Sequence, residues 1–257
     1  MHILVTNDDG VYAPGLLAMA QELRKLGKVT IVAPDHNWSA SGHVKTLSRP
    51  LRAKEVFLTD GSQAYASDGA PSDCVALVCL GLLPEPVDLV VSGINPNANL
   101  GHDVTYSGTV TAAMEAAIWN LPAIAVSLDA PEYQGGGLDY STSARVAAHV
   151  AEVVIANKLP PYTLLNVNVP YCSMEQLKGY RITRQGLRVY RDELVRREDP
   201  RGRPYFWIGG QAPTGVPEEG TDVGALAEDY VSITPLILDL TAYDFKDELE
   251  TWHFDNC

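Results

Sequence analysis

Five apolar runs punctuate the first two thirds of the chain: HILVT at 2–6, KVTIVAP at 28–34, VDLVVSG at 87–93, PAIAVSL at 122–128 and TLLNVNV at 163–169. They are continuous rather than alternating, so each strand they form is buried on both faces. That pattern belongs to a parallel sheet with helices packed on either side. Helix-like segments at about 15–26, 71–82, 108–119 and 139–157 stand between the runs, which predicts a three-layer α/β fold. Segments 44–58 and 63–67 read as hairpin-like β structure around the turn Asp60-Gly61.

The rhythm changes after residue 170. GYRITRQGLRVYRDEL and RPYFWIGG read as strands of a hairpin region joined by the charged turn REDPRGR. A short helix and a returning strand follow in GTDVGALAEDYVSITPLILDL, and the tail TAYDFKDELETWHFD reads as an acidic amphipathic helix. The expected division is a core at 1–170 and a region at 171–257 that crosses to a neighbouring subunit or packs as an appendage, with oligomerisation as its default role.

Composition narrows the partners. The 257 residues are 46% hydrophobic and 20% charged, with 19 basic against 32 acidic residues and a net charge of −13. A surface of that sign repels duplex nucleic acid and anionic membranes, both of which need Lys and Arg to displace counterions. Cys74, Cys79, Cys172 and Cys257 form no CxxC pair, which points to idle thiols in a reducing compartment. The opening MHILVTNDDG does not have the pattern of a signal peptide, and VALVCLGLL at 75–83 is too short to span a bilayer. A cytoplasmic protein is expected.

Ligands of parallel α/β sheets bind beyond the carboxyl ends of the strands, so the polar residues that follow each run are the candidates for chemistry. Asn7, Asp8, Asp9 and Gly10 follow the first run, Asp35, His36, Asn37 and Ser39 the second, and Ser92, Gly93 and Asn95 the third. Adjacent carboxylates are costly to hold together unless a cation neutralises them. With the Ser39 hydroxyl and the Asn95 amide, Asp8 and Asp9 make an all-oxygen donor set suited to Mg²⁺, Mn²⁺ or Ca²⁺. The competing reading has Asp8 capping a helix and Asp9 in water. Three loops arriving at one sheet edge favour the metal.

A second signal lies in TYSGTVTAAMEAA at 105–117, where Ser107, Gly108 and Thr109 precede an Ala-rich helix. Free N–H groups at a positive helix end cradle phosphate, although a plain Ser/Thr cap has the same sequence. No GxGxxG follows the first run and no GxxxxGK[ST] occurs, so dinucleotide and P-loop readings lack support. Basic residues are sparse. Lys45 and Arg49 lie beyond Ser39, and Arg181, Arg184 and Arg188 lie after residue 170, so metal and helix dipole must carry much of a phosphate's charge. His36, His43 and His102 are loop histidines near the same edge, and the rings of Trp38 and Tyr106 suit either stacking on a base or packing.

ILVTNDDGVYAPGL at 3–16, the Ser39 loop, SGIN at 92–95 and LGHDVTYSGTVTAAMEAA at 100–117 resemble the SurE survival-protein family, and the likeness continues through PAIAVS, LLNVNVP and EGTDVGALAEDYVSITPL. The resemblance implies a Rossmann-like fold whose C-terminal part exchanges contacts in dimers and often tetramers. It implies one Mg²⁺ or Mn²⁺ per subunit on Asp8, Asp9, Ser39 and Asn95, with Asp8 and Asp9 catalytic. Substrate phosphate would lie against Asn95, Ser107, Gly108 and Thr109. The implied activity is release of phosphate from nucleoside 5′-monophosphates, with 3′-monophosphates and short polyphosphate as further substrates in some members. Two positions depart from the family pattern: Asn97 stands where Gly is frequent, and Ala116 follows the helix glutamate where Gly is common. Asn tolerates positive φ best among non-glycine residues, so the Asn97 loop is expected to keep its shape.

The resulting expectation is metal-assisted hydrolysis of a phosphomonoester. A phosphatase with an aspartyl-phosphate intermediate is a rival, disfavoured because NDDG is not Asp-x-Asp followed by Thr. A nucleotide-sugar transferase that holds its donor through paired aspartates is another. The rival of a different class is a non-catalytic nucleotide-binding stress protein.

Overall fold

The computed structural model describes residues 1–130, 137–252 and 254. Among these, nine strands form one sheet in the order β3-β4-β2-β1-β5-β6-β7-β11-β8, and β9 with β10 form a separate hairpin. The apolar runs supply β1 (His2–Thr6), β2 (Lys28–Pro34), β5 (Leu89–Asn95), β6 (Ala123–Asp129) and β7 (Thr163–Pro170). These pair in parallel, as does β4 (Gln63–Ser67) beside β2. Only β3 (Ala53–Phe57) joins β4 antiparallel, so residues 44–52 of the expected hairpin form no strand.

Successive side chains of β1 enter different layers. Ile3 and Val5 pack with Leu16, Met19 and Leu23 of α1 (Pro14–Leu23) and with Val146 and Val150 of α4 (Ser141–Asn157). Leu4, between them, packs on the other face with Cys74 and Val75 of α2 (Pro71–Leu77) and Val110 and Ala113 of α3 (Gly108–Ile118). Strands buried on both faces therefore carry no polar alternation. Alanines 112, 113, 116 and 117 of α3 are all buried, and their small side chains let this helix lie close to the sheet.

After β7 the chain crosses back. β8 (Tyr180–Ile182) and β11 (Val231–Ile237) extend the main sheet, β11 running antiparallel to β7 and β8 parallel to β11. GYRITRQGLRVYRDEL is thus two strands: β8, and β9 (Arg188–Glu198), which pairs with β10 (Pro204–Gly215) in the projecting hairpin. Helix α5 (Asp222–Ala227) leads into β11, and α6 (Tyr243–Leu249) buries none of its residues. No helix among the described residues is long and apolar enough to cross a membrane.

Candidate active site at the switch point of the sheet

Strand β1 has β2 on one side and β5 on the other, so the crossovers leave it in opposite directions and open a crevice at the carboxyl ends of β1 and β5. Asp8 and Asp9 follow β1, and Asn95 is the last residue of β5. The three loops anticipated from sequence converge on a cavity of about 450 Å³ whose lining includes Asp8, Ser39, Asn95 and Ser107. Asp9, Gly108 and Thr109 lie outside that lining. A second cavity of about 490 Å³ opens where β1 and β5 begin, but it is walled by groups such as Leu121, Val154, Ile155 and Leu159 that offer phosphoryl chemistry nothing.

Hydrogen bonds tie the β1 and β2 loops together. The Trp38 N–H donates to the Asp8 carbonyl at 2.7 Å. Asn37 bridges next: its Nδ2 donates to Asp9 Oδ1 at 3.3 Å, while its Oδ1 accepts the Ser39 N–H at 2.8 Å. The backbone of Ser39 is thereby registered against the aspartate pair.

Helix α3 approaches the same pair from the other side. Thr109 Oγ1 donates to Asp8 Oδ1 at 2.5 Å, and Ser107 caps the helix by accepting the Val110 N–H at 3.1 Å. The Thr109 hydroxyl is therefore spent on Asp8. The Ser107 N–H donates to the Asp103 carbonyl at 3.1 Å, so what the turn still offers an anion is the Ser107 hydroxyl hydrogen and the positive end of the helix dipole. A Cβ at Gly108 would lie 2.6 Å from Asp8 Cβ, so only glycine lets the carboxylate sit this close.

Asp8 is 3% exposed. Burial pushes its carboxyl up, opposed by the Thr109 hydroxyl and the N–H groups of Thr109 and Gly108. Burial pushes Asp9 up to about 7, and the neighbouring Asp8 charge adds to the rise. Asp9 Oδ2 is buried without a hydrogen-bond partner among the described residues. An orphaned carboxylate oxygen beside a second strained carboxylate is what a bound cation would relieve. Two carboxylates with neutral oxygens from Ser39 and Asn95 fit a hard divalent ion.

The opposite wall has its own support. Asn95 Nδ2 donates to the Asn97 carbonyl at 2.5 Å, leaving Asn95 Oδ1 as its available donor atom toward a cation. Asn97 itself is not in the left-handed region, so the tolerance of Asn for positive φ is not called upon. Asn99 is held by the fully buried amides of β7. Asn168 Oδ1 accepts the Asn99 N–H at 2.8 Å, and Asn166 and Asn168 both donate to its carbonyl, at 2.8 and 3.1 Å. Asn99 Nδ2 donates in turn to Ser127 Oγ at 2.8 Å. Sequence reasoning passed over this network, yet two asparagines inside the apolar run LLNVNV were its signal, because buried amides require partners.

The basic and aromatic candidates divide. His43 Nε2 and Lys45 Nζ donate to the buried Glu115 of α3 at 2.9 and 3.1 Å, and Trp119 Nε1 adds a bond at 3.0 Å. Burial pushes Glu115 up, but these three donors outweigh it and hold the carboxyl down at about 2. This cluster docks the 42–46 loop on α3, helped by Thr111 Oγ1 donating to the Gly42 carbonyl at 3.0 Å. His36 pairs with Asp35 and stacks on Trp38. Arg181 and Arg184 pair with Glu228 and Glu218, whereas Arg188 lines the cavity.

A family model described as survival protein SurE matches residues 3–192, a range that contains Asp8, Asp9, Ser39, Asn95 and the turn at 107–109. The chain belongs to the SurE family. A protein of Herpetosiphon aurantiacus named 5′-nucleotidase SurE is 54% identical over 256 residues, covering all of both chains. Another of that name from Chloroflexus aggregans is 50% identical over 255 residues, covering 99% of this chain and 100% of its own. The crystal structure of the SurE protein from Aquifex aeolicus is similar at a TM-score of 0.81 and 39% identity, over 97% of this chain and 98% of that one. The SurE likeness thus extends through the mostly parallel sheet and its C-terminal hairpin.

Proposed function

We propose that this SurE-family chain is a divalent-metal-dependent phosphomonoester hydrolase acting on nucleoside 5′-monophosphates, with 3′-monophosphates and short polyphosphate as further substrates. The observation that carries the reading is the adjacent Asp8–Asp9 pair at the switch point, Asp8 buried and Asp9 half-buried, with an orphaned carboxylate oxygen and the amino end of α3 alongside. The printed names of relatives at 54% and 50% identity supply the substrate class.

Asp8, Asp9, Ser39 and Asn95 would hold Mg²⁺ or Mn²⁺. When bound, such an ion polarises a phosphoryl oxygen and brings a water's pKa toward neutrality. The chain's own contribution is placement. Thr109 and Gly108 set the Asp8 carboxylate, Asn37 sets Asp9 and the Ser39 backbone, and the Ser107 hydroxyl with the positive end of the α3 dipole stabilises charge spreading over the phosphoryl oxygens.

The region 171–257 is the expected site of subunit exchange in a dimer or tetramer. Supporting this, the β9–β10 hairpin leaves Trp207 62% and Ile208 84% exposed, alongside Leu194 and Phe206. A cytoplasmic setting accords with Cys74, Cys79 and Cys172 as free thiols.

The test is phosphate release by metal-stripped protein from a panel of nucleoside monophosphates and short polyphosphate, with Mg²⁺ or Mn²⁺ added back. Restored turnover that is absent in Asp8→Asn is the expected result. Folded wild-type protein that turns over nothing with either metal, while still binding nucleotide, would instead make it a binding protein.

A further inference from the structure

Cation and phosphate would take Asp8, Ser39, Asn95 and Ser107 from the cavity lining in the reading above, which leaves the rest of the lining without a role. That remainder includes Leu100, Asp103, Tyr106, Asp129, Arg188 and Pro213. Arg188 is the one arginine that reaches it, and it is held firmly. Its Nε donates to Asp103 Oδ2 at 2.7 Å, and Asp103 Oδ1 also accepts the Tyr190 hydroxyl at 2.5 Å. The Arg188 stem lies against Gly101, where a Cβ would come within 3.1 Å of Arg188 Cγ and 2.3 Å of the Gly186 carbonyl. The fully buried Asp222 locks that contact by accepting the N–H groups of Gly101 at 2.8 Å and Gly186 at 2.7 Å.

With Nε on Asp103, the two Nη groups take no hydrogen-bond partner among the described residues, though the side chain is only 13% exposed. Asp129, at the end of β6, also lines this space and forms no ion pair among the described residues. Asp103 and Asp129 outnumber Arg188, so this part of the lining is net negative when all three are charged. A second phosphate is disfavoured there. A neutral heterocycle with both acceptors and donors on its edge is suited to it, and Leu100, Tyr106 and Pro213 provide apolar contact for its faces.

We propose that Arg188 is a specificity-determining residue that binds the leaving nucleoside, its Nη groups donating to N7 and O6 of a 6-oxopurine. A guanidinium fork matches those paired acceptors, whereas adenine presents a donor at the second position. The Asp129 carboxylate is an acceptor for the N1 and N2 hydrogens of guanine. The inference rests on the nucleotidase reading and adds the substrate class.

The experiment compares kcat/KM for GMP, AMP and p-nitrophenyl phosphate in wild type, Arg188→Gln and Arg188→Lys, together with inhibition by guanosine and by inorganic phosphate. Wild type is expected to favour GMP over AMP by about tenfold or more. Arg188→Gln should lower kcat/KM for GMP about tenfold further than for p-nitrophenyl phosphate, mostly through KM, and weaken guanosine inhibition far more than phosphate inhibition. Arg188→Lys keeps the charge beside Asp103 but not the fork, so it should lose the GMP preference in the same direction; it carries the test if Arg188→Gln does not fold. Equal losses on all three substrates, or a wild type that accepts AMP as readily as GMP, would overturn the proposal. Wild-type protein inactive on every nucleotide would overturn the nucleotidase reading instead, and calorimetric binding of guanosine to wild type and Arg188→Gln would still test Arg188.

Discussion

Gly108→Ala puts the geometry of the acidic pair to a direct test. Gly108 opens α3, and the added Cβ would stand 2.6 Å from Asp8 Cβ and 2.9 Å from Oδ2. Carbon atoms settle at about 3.5 Å or more, so the Asp8 side chain must retreat by roughly 0.9 Å or the helix must shift by as much. The backbone does not resist alanine, which favours a helix over glycine by up to about 1 kcal/mol. Forcing the two Cβ atoms apart in a packed site costs about 1–3 kcal/mol, so the net loss of stability should be about 1–2 kcal/mol, a few degrees in melting temperature for a chain of this size. The retreat breaks the 2.5 Å bond from Thr109 Oγ1 and moves the carboxylate off its place toward a cation. A misplacement near 1 Å costs on the order of 10²-fold in turnover. The assay is phosphate release under Mn²⁺ titration, with a thermal melt as the control. The expected result is a loss of about 10²-fold in kcat with a weaker Mn²⁺ response and a melting midpoint within a few degrees of wild type. Wild-type turnover with an unchanged Mn²⁺ response would refute the claim that this glycine exists to seat Asp8.

Three other outcomes follow from the same contacts. Asp9, raised to about 7 in the metal-free chain, keeps a proton that the unfolded chain releases near the ordinary carboxyl value of 3.8. Metal-free stability should then fall as pH rises from about 4 to 7, and the Mn²⁺-induced rise in melting temperature should grow over that window; a shift that shrinks with pH contradicts it. Glu115, held down at about 2 from 4.5, stabilises the fold above its unfolded pKa and ceases to as pH falls toward 2. Glu115→Gln should cost on the order of 1–3 kcal/mol at neutral pH in urea unfolding, with the gap from wild type closing between about pH 4.5 and 2. Asn168→Ala strands the buried Asn99 N–H, at a cost of about 1–3 kcal/mol, and should raise KM because Asn99 forms part of the cavity wall. Unchanged stability would mean that another group takes up that N–H.

Much of the fold was readable because its signals are local. HILVT and KVTIVAP begin and end as β1 and β2 do, since an unbroken apolar run between polar turns has one favourable burial. Residues 44–52 form no strand despite their β-like pattern because side chains rather than a ladder satisfy them. The Thr46 N–H donates to Asp73 Oδ1 at 2.9 Å, and Lys45 reaches Glu115. The expected helix over 71–82 likewise gives way at Val78 to a wider turn, where Gly81 takes φ +106°.

From the sequence alone come the strand edges, the adjacent aspartates after β1, and the small residues that open α3, each set by near neighbours. Tertiary structure alone decided which partners those groups meet. Asp8 meets Thr109 across 101 residues, Asn99 meets Asn168 across 69, and Arg188 rather than Arg181 or Arg184 meets Asp103 across 85. Such contacts leave no periodicity in the chain. They exist because a nine-stranded sheet brings distant loops to one edge, where burial makes an unpaired polar group too costly to leave unmatched.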